Sequence, residues 1–296
     1  MGVGVRGLVA VAAIVGRVSV AANEPSVPAD GVRPDDRFGP APVPAGRRVV
    51  SLIGMGVGDP ESLTHAASRA LAGADVLFTV DKGAAKADLN ALRARICARY
   101  ARPGLRVVEV GEPERDRAPA DYPAEVRRWH AARATVWADA LRTELDEGGR
   151  GAFLVWGDPA LYDSSLRILD DIRARGLVDL DVEVVPGISS VQALAARHRI
   201  PLNTVGGSVH ITTGRRLADE AAGLDTVVVL LDGAAAWQGL DADQWDIYWG
   251  AYLGADDEIA LAGPLAEVGG QIAAAKRDAR ARKGWIMDVY LLRRRR

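Results

Sequence analysis

Residues 49–60 read Val49-Val50-Ser51-Leu52-Ile53-Gly54-Met55-Gly56-Val57-Gly58-Asp59-Pro60. The near-continuous apolar run at its start predicts a strand covered on both faces, and the glycines directly after it predict a tight turn. Asp59 suits a helix N-cap and Pro60 a first helical position, while Leu63, Ala66, Ala67, Ala70 and Leu71 share one stripe that Gly73 ends. A helix is therefore predicted from Pro60 onward. Strand, turn and helix make the opening unit of an α/β fold.

The rhythm continues outward. Val76 to Val80 predicts a second strand, Leu89, Leu92, Ile96 and Tyr100 a second helix, and Arg106 to Val110 a third strand. After a charged loop, Val126, Trp129, Arg133, Trp137, Leu141 and Leu145 predict a long helix by their three- and four-residue spacing. Strands at Ala152 to Val155 and Val182 to Val185 follow, separated by a helix bearing Leu166, Leu169 and Ile172. Such alternation implies a largely parallel sheet with helices on both faces. Beyond Thr204 the units shorten, with strands at Ser208 to Thr212, Thr226 to Leu231, Trp245 to Tyr252, Glu258 to Ala262 and Trp285 to Leu292, and a helix at Leu265 to Lys283. A second α/β domain is expected there, 206–296, after a first over 47–205. Residues 1–46, with six prolines and no periodicity beyond residue 20, are set apart as a disordered or mis-started extension. The apolar run Leu8 to Val15 between Arg6 and Arg17 resembles a weak signal peptide but is too short to span a bilayer.

Composition narrows the function. With 37 basic and 39 acidic residues the formal charge is -2, which argues against a general nucleic-acid binder. No stretch is expected to enter a membrane. One cysteine, Cys97, and no Cys/His cluster of zinc spacing argue for a reducing cytosol and no metal. Only four of the 37 basic residues are lysine (Lys82, Lys86, Lys276 and Lys283), so each of them is a position where arginine did not take over.

Three turns of similar chemistry follow predicted strands: the first glycine cluster, then Gly157-Asp158-Pro159-Ala160-Leu161-Tyr162-Asp163-Ser164-Ser165, then Pro186-Gly187-Ile188-Ser189-Ser190. In an open α/β sheet the carboxyl ends of strands border the ligand crevice. The spacing G-x-G-x-G puts Asp59 where a dinucleotide fingerprint needs its third glycine, so a dinucleotide-dependent oxidoreductase is the disfavoured alternative. Short polar groups and Tyr162 in the second turn suit ribose and amino-acid atoms.

Gly54-x-Gly56-x-Gly58-Asp59-Pro60-x-x-Leu63-Thr64, Gly157-Asp158-Pro159 and Pro186-Gly187-Ile188-Ser189-Ser190, in that order, resemble the tetrapyrrole methylases of cobalamin and sirohaem synthesis, from about Arg47 to the C-terminus. Val80-Asp81-Lys82-Gly83-Ala84-Ala85-Lys86, Trp156-Gly157-Asp158-Pro159 and Gly284-Trp285-Ile286-Met287-Asp288-Val289-Tyr290 resemble the deacetylating members of that family in particular. The resemblance implies two α/β domains, the second with a smaller mixed sheet, and an active site in the cleft between them. It implies S-adenosyl-L-methionine as methyl donor and a corrin precursor, precorrin-5, as acceptor, with loss of an acetyl group; a sibling methylase of an earlier precorrin is the nearer alternative. It implies a cofactor side formed by Gly157, Asp158, Tyr162, Ser164, Ser165, Pro186, Gly187, Ile188 and Ser189, closed by Leu231, Tyr252, Leu253, Ala262, Gly263 and Pro264. It assigns Gly56, Gly58, Lys82 and Lys86 to the polyanionic tetrapyrrole, and carries the analogy of a homodimer. Deacylation needs an activated water, for which Asp81, Asp59 and His210 are candidates, with Lys82 as electrostatic support.

Overall fold

The structure is a computed structural model that describes residues 46–80, 87–114, 116 and 120–295. The expectations placed on residues 1–45 and on Asp81, Lys82 and Lys86 lie outside the described residues.

Five strands, β1 (Arg48–Gly54), β2 (Val76–Val80), β3 (Arg106–Val110), β4 (Arg150–Val155) and β5 (Leu180–Val185), form one parallel sheet in the order β3-β2-β4-β1-β5. β1 lies between β4 and β5 and is buried from Val49 to Gly54, as its unbroken apolar run requires. Helices α3 (Tyr122–Glu144) and α4 (Ser165–Ala174) cover one face, where Trp137 stacks on Phe153 at 4.2 Å beside Leu141, Ile168 and Leu169. On the other face α1 (His65–Ala72) and α2 (Ala87–Tyr100) bring in Ala67, Leu71 and Ile96.

The expected helix from Pro60 is corrected. Asp59 Oδ1 accepts from the Glu61 amide at 2.9 Å and caps only a 3-10 turn, Pro60–Ser62. Leu63 is extended, and Thr64, whose hydroxyl accepts from the Ala67 amide at 3.1 Å, caps the α-helix proper. Two good cap residues five apart compete, and the second wins the longer segment.

The second sheet has the order β6-β7-β10-β8-β9, from β6 (His210–Thr213), β7 (Thr226–Leu230), β8 (Trp245–Ala251), β9 (Ile259–Pro264) and β10 (Asp288–Arg294). β6 and β7 are parallel and the other pairs antiparallel, so the sheet is mixed. A short helix α6 (Leu217–Glu220) and the long α7 (Leu265–Lys283) supply Leu217, Leu265, Ile272 and Ala279 to a core with Trp237, Trp249 and Tyr290. Helix α5 (Ser190–His198), which follows β5, packs Val191 and Leu194 together with Val228, Leu253, Val289 and Leu291 of the second half. The described residues accordingly form one compact unit. Among the described residues no helix is long and apolar enough to cross a membrane.

Candidate active site

The carboxyl ends of β1, β4 and β5 are fitted together through glycine. The amide of Gly56 donates to the carbonyl of Gly157 at 3.2 Å and that of Gly157 to the carbonyl of Gly56 at 2.8 Å. A Cβ on Gly54 would stand 2.5 Å from the Gly187 nitrogen, and one on Gly187 would stand 2.2 Å from the Gly157 oxygen. Asp158 joins the second and third turns. Its Oδ1 accepts from the Ala160 amide at 2.8 Å and its Oδ2 from the Gly187 amide at 2.9 Å. The three turns, which the sequence spreads over about a hundred and thirty residues, are thus in direct contact.

What each turn exposes differs. Gly54 to Gly58 are buried, Gly58 tight against Trp156 and Leu92. Gly56 and Gly58, expected to face a substrate, are buried in the structure, whereas Val57 between them lines a cavity. That cavity, about 280 Å³, is lined by Val57, Leu92 and Trp156 and by Tyr252, Leu253, Trp285 and Met287, with Arg95 paired to Asp256 at 3.6 Å and Lys283 to Asp257 at 2.7 Å. The third turn is open, since Pro186 and Ile188 are exposed and Gly187 is half-buried. Ser189 is buried and caps α5 through the Val191 amide at 3.2 Å. In the second turn Tyr162 is exposed and adopts a left-handed backbone, φ 53°, reaching the carbonyl of Ile211 at 3.4 Å. Asp163, rather than Ser164, caps α4, through the Ser165 amide at 2.6 Å. Ser164 instead accepts from the buried Arg133 at 2.9 Å, and Ser165 is buried.

The second sheet faces these turns with the ends of β6, β7 and β8. Leu231 and Tyr252, directly after β7 and β8, are both non-glycine residues at positive φ, 53° and 50°, a conformation that persists only where the surroundings fix it. Leu231 is exposed, whereas Tyr252 is buried with its hydroxyl donated to the Trp285 carbonyl at 2.6 Å. Leu253 is buried against Leu194, Val228 and Val289. Ala262, Gly263 and Pro264 are not brought to this rim. They pair with Tyr248, Ile247 and Asp246, three to five residues down β8 from Ala251, or about 10–17 Å at strand rise. Periodicity locates a strand but not which of its ends meets a cleft, so these three expectations are corrected.

His210 sits in an open groove of about 320 Å³ with Tyr162, Ile211, Thr213 and Arg216. Its Nε2 is 2.9 Å from a carboxylate oxygen of Glu220, which also takes the hydroxyl of Thr212 and pairs with Arg216. The Thr212 hydroxyl first, then His210, hold the Glu220 carboxyl below the usual carboxylate range. Asp59 lies at the junction of the halves, where a Cβ on Gly254 would stand 2.6 Å from Val57 and 3.5 Å from Asp59.

With the geometry in place, comparison with known proteins decides the family. The model for tetrapyrrole (corrin/porphyrin) methylases matches residues 49–269. The chain belongs to the tetrapyrrole methylase family. This methylase is 50% identical to a deacetylating precorrin-6A synthase of Sinorhizobium over 252 residues, 84% of this chain and 97% of the relative. A crystal structure of a cobalamin synthesis related protein (CobF) from Corynebacterium diphtheriae superposes with a TM-score of 0.74 at 42% identity, covering 83% of this chain and 98% of that one. At the level of fold it also matches a uroporphyrin-III C-methyltransferase of Thermus thermophilus complexed with S-adenosyl homocysteine, TM-score 0.51 and 22% identity, over 82% and 96% of the two chains. The oxidoreductase alternative gains no support. Sequence reasoning missed the cavity residues Arg95, Trp285 and Met287 of this methylase, and Glu220 beside His210. Trp285 and Met287 stand in a stretch already quoted for its resemblance; Glu220 carries no local signal, because only folding brings it to a histidine ten residues away.

Proposed function

We propose that this methylase transfers a methyl group from S-adenosyl-L-methionine to precorrin-5 and releases the ring acetyl group as acetate, giving precorrin-6A. What supports the acceptor is the 50% identity to the deacetylating relative across nearly all of its length. What supports a donor seat is the placing of exposed apolar side chains. Seven large ones are exposed among the described residues, and four of them, Tyr162, Ile188, Ile211 and Leu231, stand on the turns and strand ends that border the rim described above. An adenine ring and a thioether chain are groups that such surfaces take from water. The donor supplies an electrophilic methyl whose sulfur loses its positive charge on transfer, so the protein's task there is alignment and exclusion of water.

Within the site, Pro186, Gly187 and Ile188 offer open backbone, Tyr162 a flat face, and Leu231 an apolar lid to the donor. The cavity between Trp156 and Trp285 would take an edge of the macrocycle, whose carboxylate arms would share Arg95 and Lys283 with Asp256 and Asp257. In deacylation a water gives up a proton to a base and adds to the acetyl carbonyl; the bond from that carbon to the ring breaks with its electron pair staying on the ring carbon, where a proton or the donor's methyl takes it up, and acetate departs. Of the water-handling candidates among the described residues, His210 carries the arrangement of an oriented base: the Glu220 carboxylate accepts from Nε2–H and leaves Nδ1 to take a proton. Asp59 Oδ1 is committed to a cap. The cytosol, with no nucleic-acid or membrane partner, and a homodimer complete the reading.

The test is to incubate the purified protein with precorrin-5 and methyl-labelled S-adenosyl-L-methionine. A labelled product with one equivalent of free acetate is expected. A methylated product without acetate would identify a sibling precorrin methylase instead, and pigment binding without turnover an idle carrier. His210→Asn is expected to slow acetate release about a hundredfold while leaving donor binding in place.

A further inference from the structure

The buried side chains beneath the rim of the second sheet form one connected polar group that the proposed chemistry does not use. Lys276, on α7, is one of the four lysines of this arginine-rich chain and is buried. Its Nζ donates to the carbonyl of Asp232 and to Oδ2 of Asp288, both at 2.5 Å. Asp232 follows Leu231 directly. Its carboxylate is buried, accepts from the amides of Ala234 and Ala236 at 3.0 and 2.7 Å and from the Tyr290 hydroxyl at 2.7 Å, and closes the turn. Asp288 opens β10 opposite Ala251, accepts from Trp249 Nε1 at 2.9 Å, and adjoins Met287, whose carbonyl takes the Tyr252 amide at 2.9 Å. One ammonium therefore bonds to the backbone after Leu231 and to the strand that anchors Tyr252. These are the non-glycine, positive-φ residues directly after β7 and β8, and each costs free energy to hold. A compact ammonium suits two acceptors set on different elements.

We propose that Lys276 is a positioning residue: through Asp232 and Asp288 it locks the Leu231 and Tyr252 turns into one preformed edge for the methyl donor. The donor part of this inference rests on the function proposed above; the locking of the two turns does not.

Two measurements separate these. In the protein without donor, Lys276→Met is expected to raise amide hydrogen exchange in both 231–236 and 252–255, leaving the turns after β1, β4 and β5 unchanged. Loosening of one turn alone, or of neither, would overturn the lock. S-adenosylhomocysteine binding by calorimetry is expected to weaken about tenfold in the same variant, because preorganisation is lost. The double variant Lys276→Met with Asp288→Asn removes the unpaired buried charge, so its melting temperature should return close to that of the parent. Its affinity for S-adenosylhomocysteine and its exchange in the two turns should not return. Recovery of all three together would reduce Lys276 to a structural role and refute the proposal. Asp288→Asn alone serves if Lys276→Met does not fold, and should loosen the same two turns. If the parent itself fails to bind S-adenosylhomocysteine, the donor reading falls while the exchange result still decides the lock.

Discussion

A methyl group has no place at position 187. With its Cβ 2.2 Å from the Gly157 carbonyl and 2.8 Å from the Gly54 backbone, alanine there would push three strand ends apart at once. Gly187→Ala is expected to cost about 3 kcal/mol of stability by overpacking and to abolish S-adenosylhomocysteine binding; Gly111→Ala, where a Cβ meets nothing within 4 Å, is the control in the same urea titration. Asp158→Asn is a milder probe. Because the two carboxylate oxygens each accept from a separate amide, an asparagine must point its NH2 at one of them, at a cost of about 1–3 kcal/mol. Both positions were legible in the sequence, since a strand end followed by glycine and a short acid announces a turn. The Lys276 group was not, because its partners lie 12 and 44 residues away and nothing local marks them.

At the scale of elements, the strands and helices were largely legible because buried parallel strands are long apolar runs and the helices carry clear stripes. The departure at Pro60 came from two caps competing within five residues, a contest settled only by how the following segment packs. Helix α3 shows what a stripe leaves unsaid. Its periodicity put Arg133 on the apolar face beside Trp129 and Trp137, and the structure buries it there, its guanidinium over the two rings at 4.7 and 5.3 Å, paired with Glu112 at 2.8 Å. Arg133→Ala leaves that carboxylate without its cation and empties the space between the rings. A loss of about 3–5 kcal/mol is expected by urea titration, with the Ser164 turn freed to exchange. Helix α2 offers a second check through Cys97. Burial pushes its thiol up from an ordinary 9.0 to about 11, against the opposing pull of Arg93. The contribution to stability, at most about 2–3 kcal/mol, is whole below pH 9 and is lost as pH rises toward 11, where the unfolded chain ionises first. At pH 8 an aromatic disulfide reagent should react about a hundredfold more slowly with the folded protein than with the protein in urea, following the thiolate fraction.

Across the molecule, the two sheets were each foreseeable from the change in rhythm near Thr204, but their joining was not. Helix α5 belongs to the first sheet by connectivity and places Val191 and Leu194 among Val228, Val289 and Leu291 of the second. Cleaving the chain between Thr204 and Val205 should therefore yield two pieces that stay associated on gel filtration, and that precipitate or bind a hydrophobic dye when prepared separately. Two stable, independent pieces would contradict that packing. A shared helix of this kind also limits how such enzymes can trade parts. A chimaera that borrows the second sheet from a relative must borrow the inward face of α5 with it, so the workable seam for exchange runs upstream of the helix rather than at the visible change of pattern behind it.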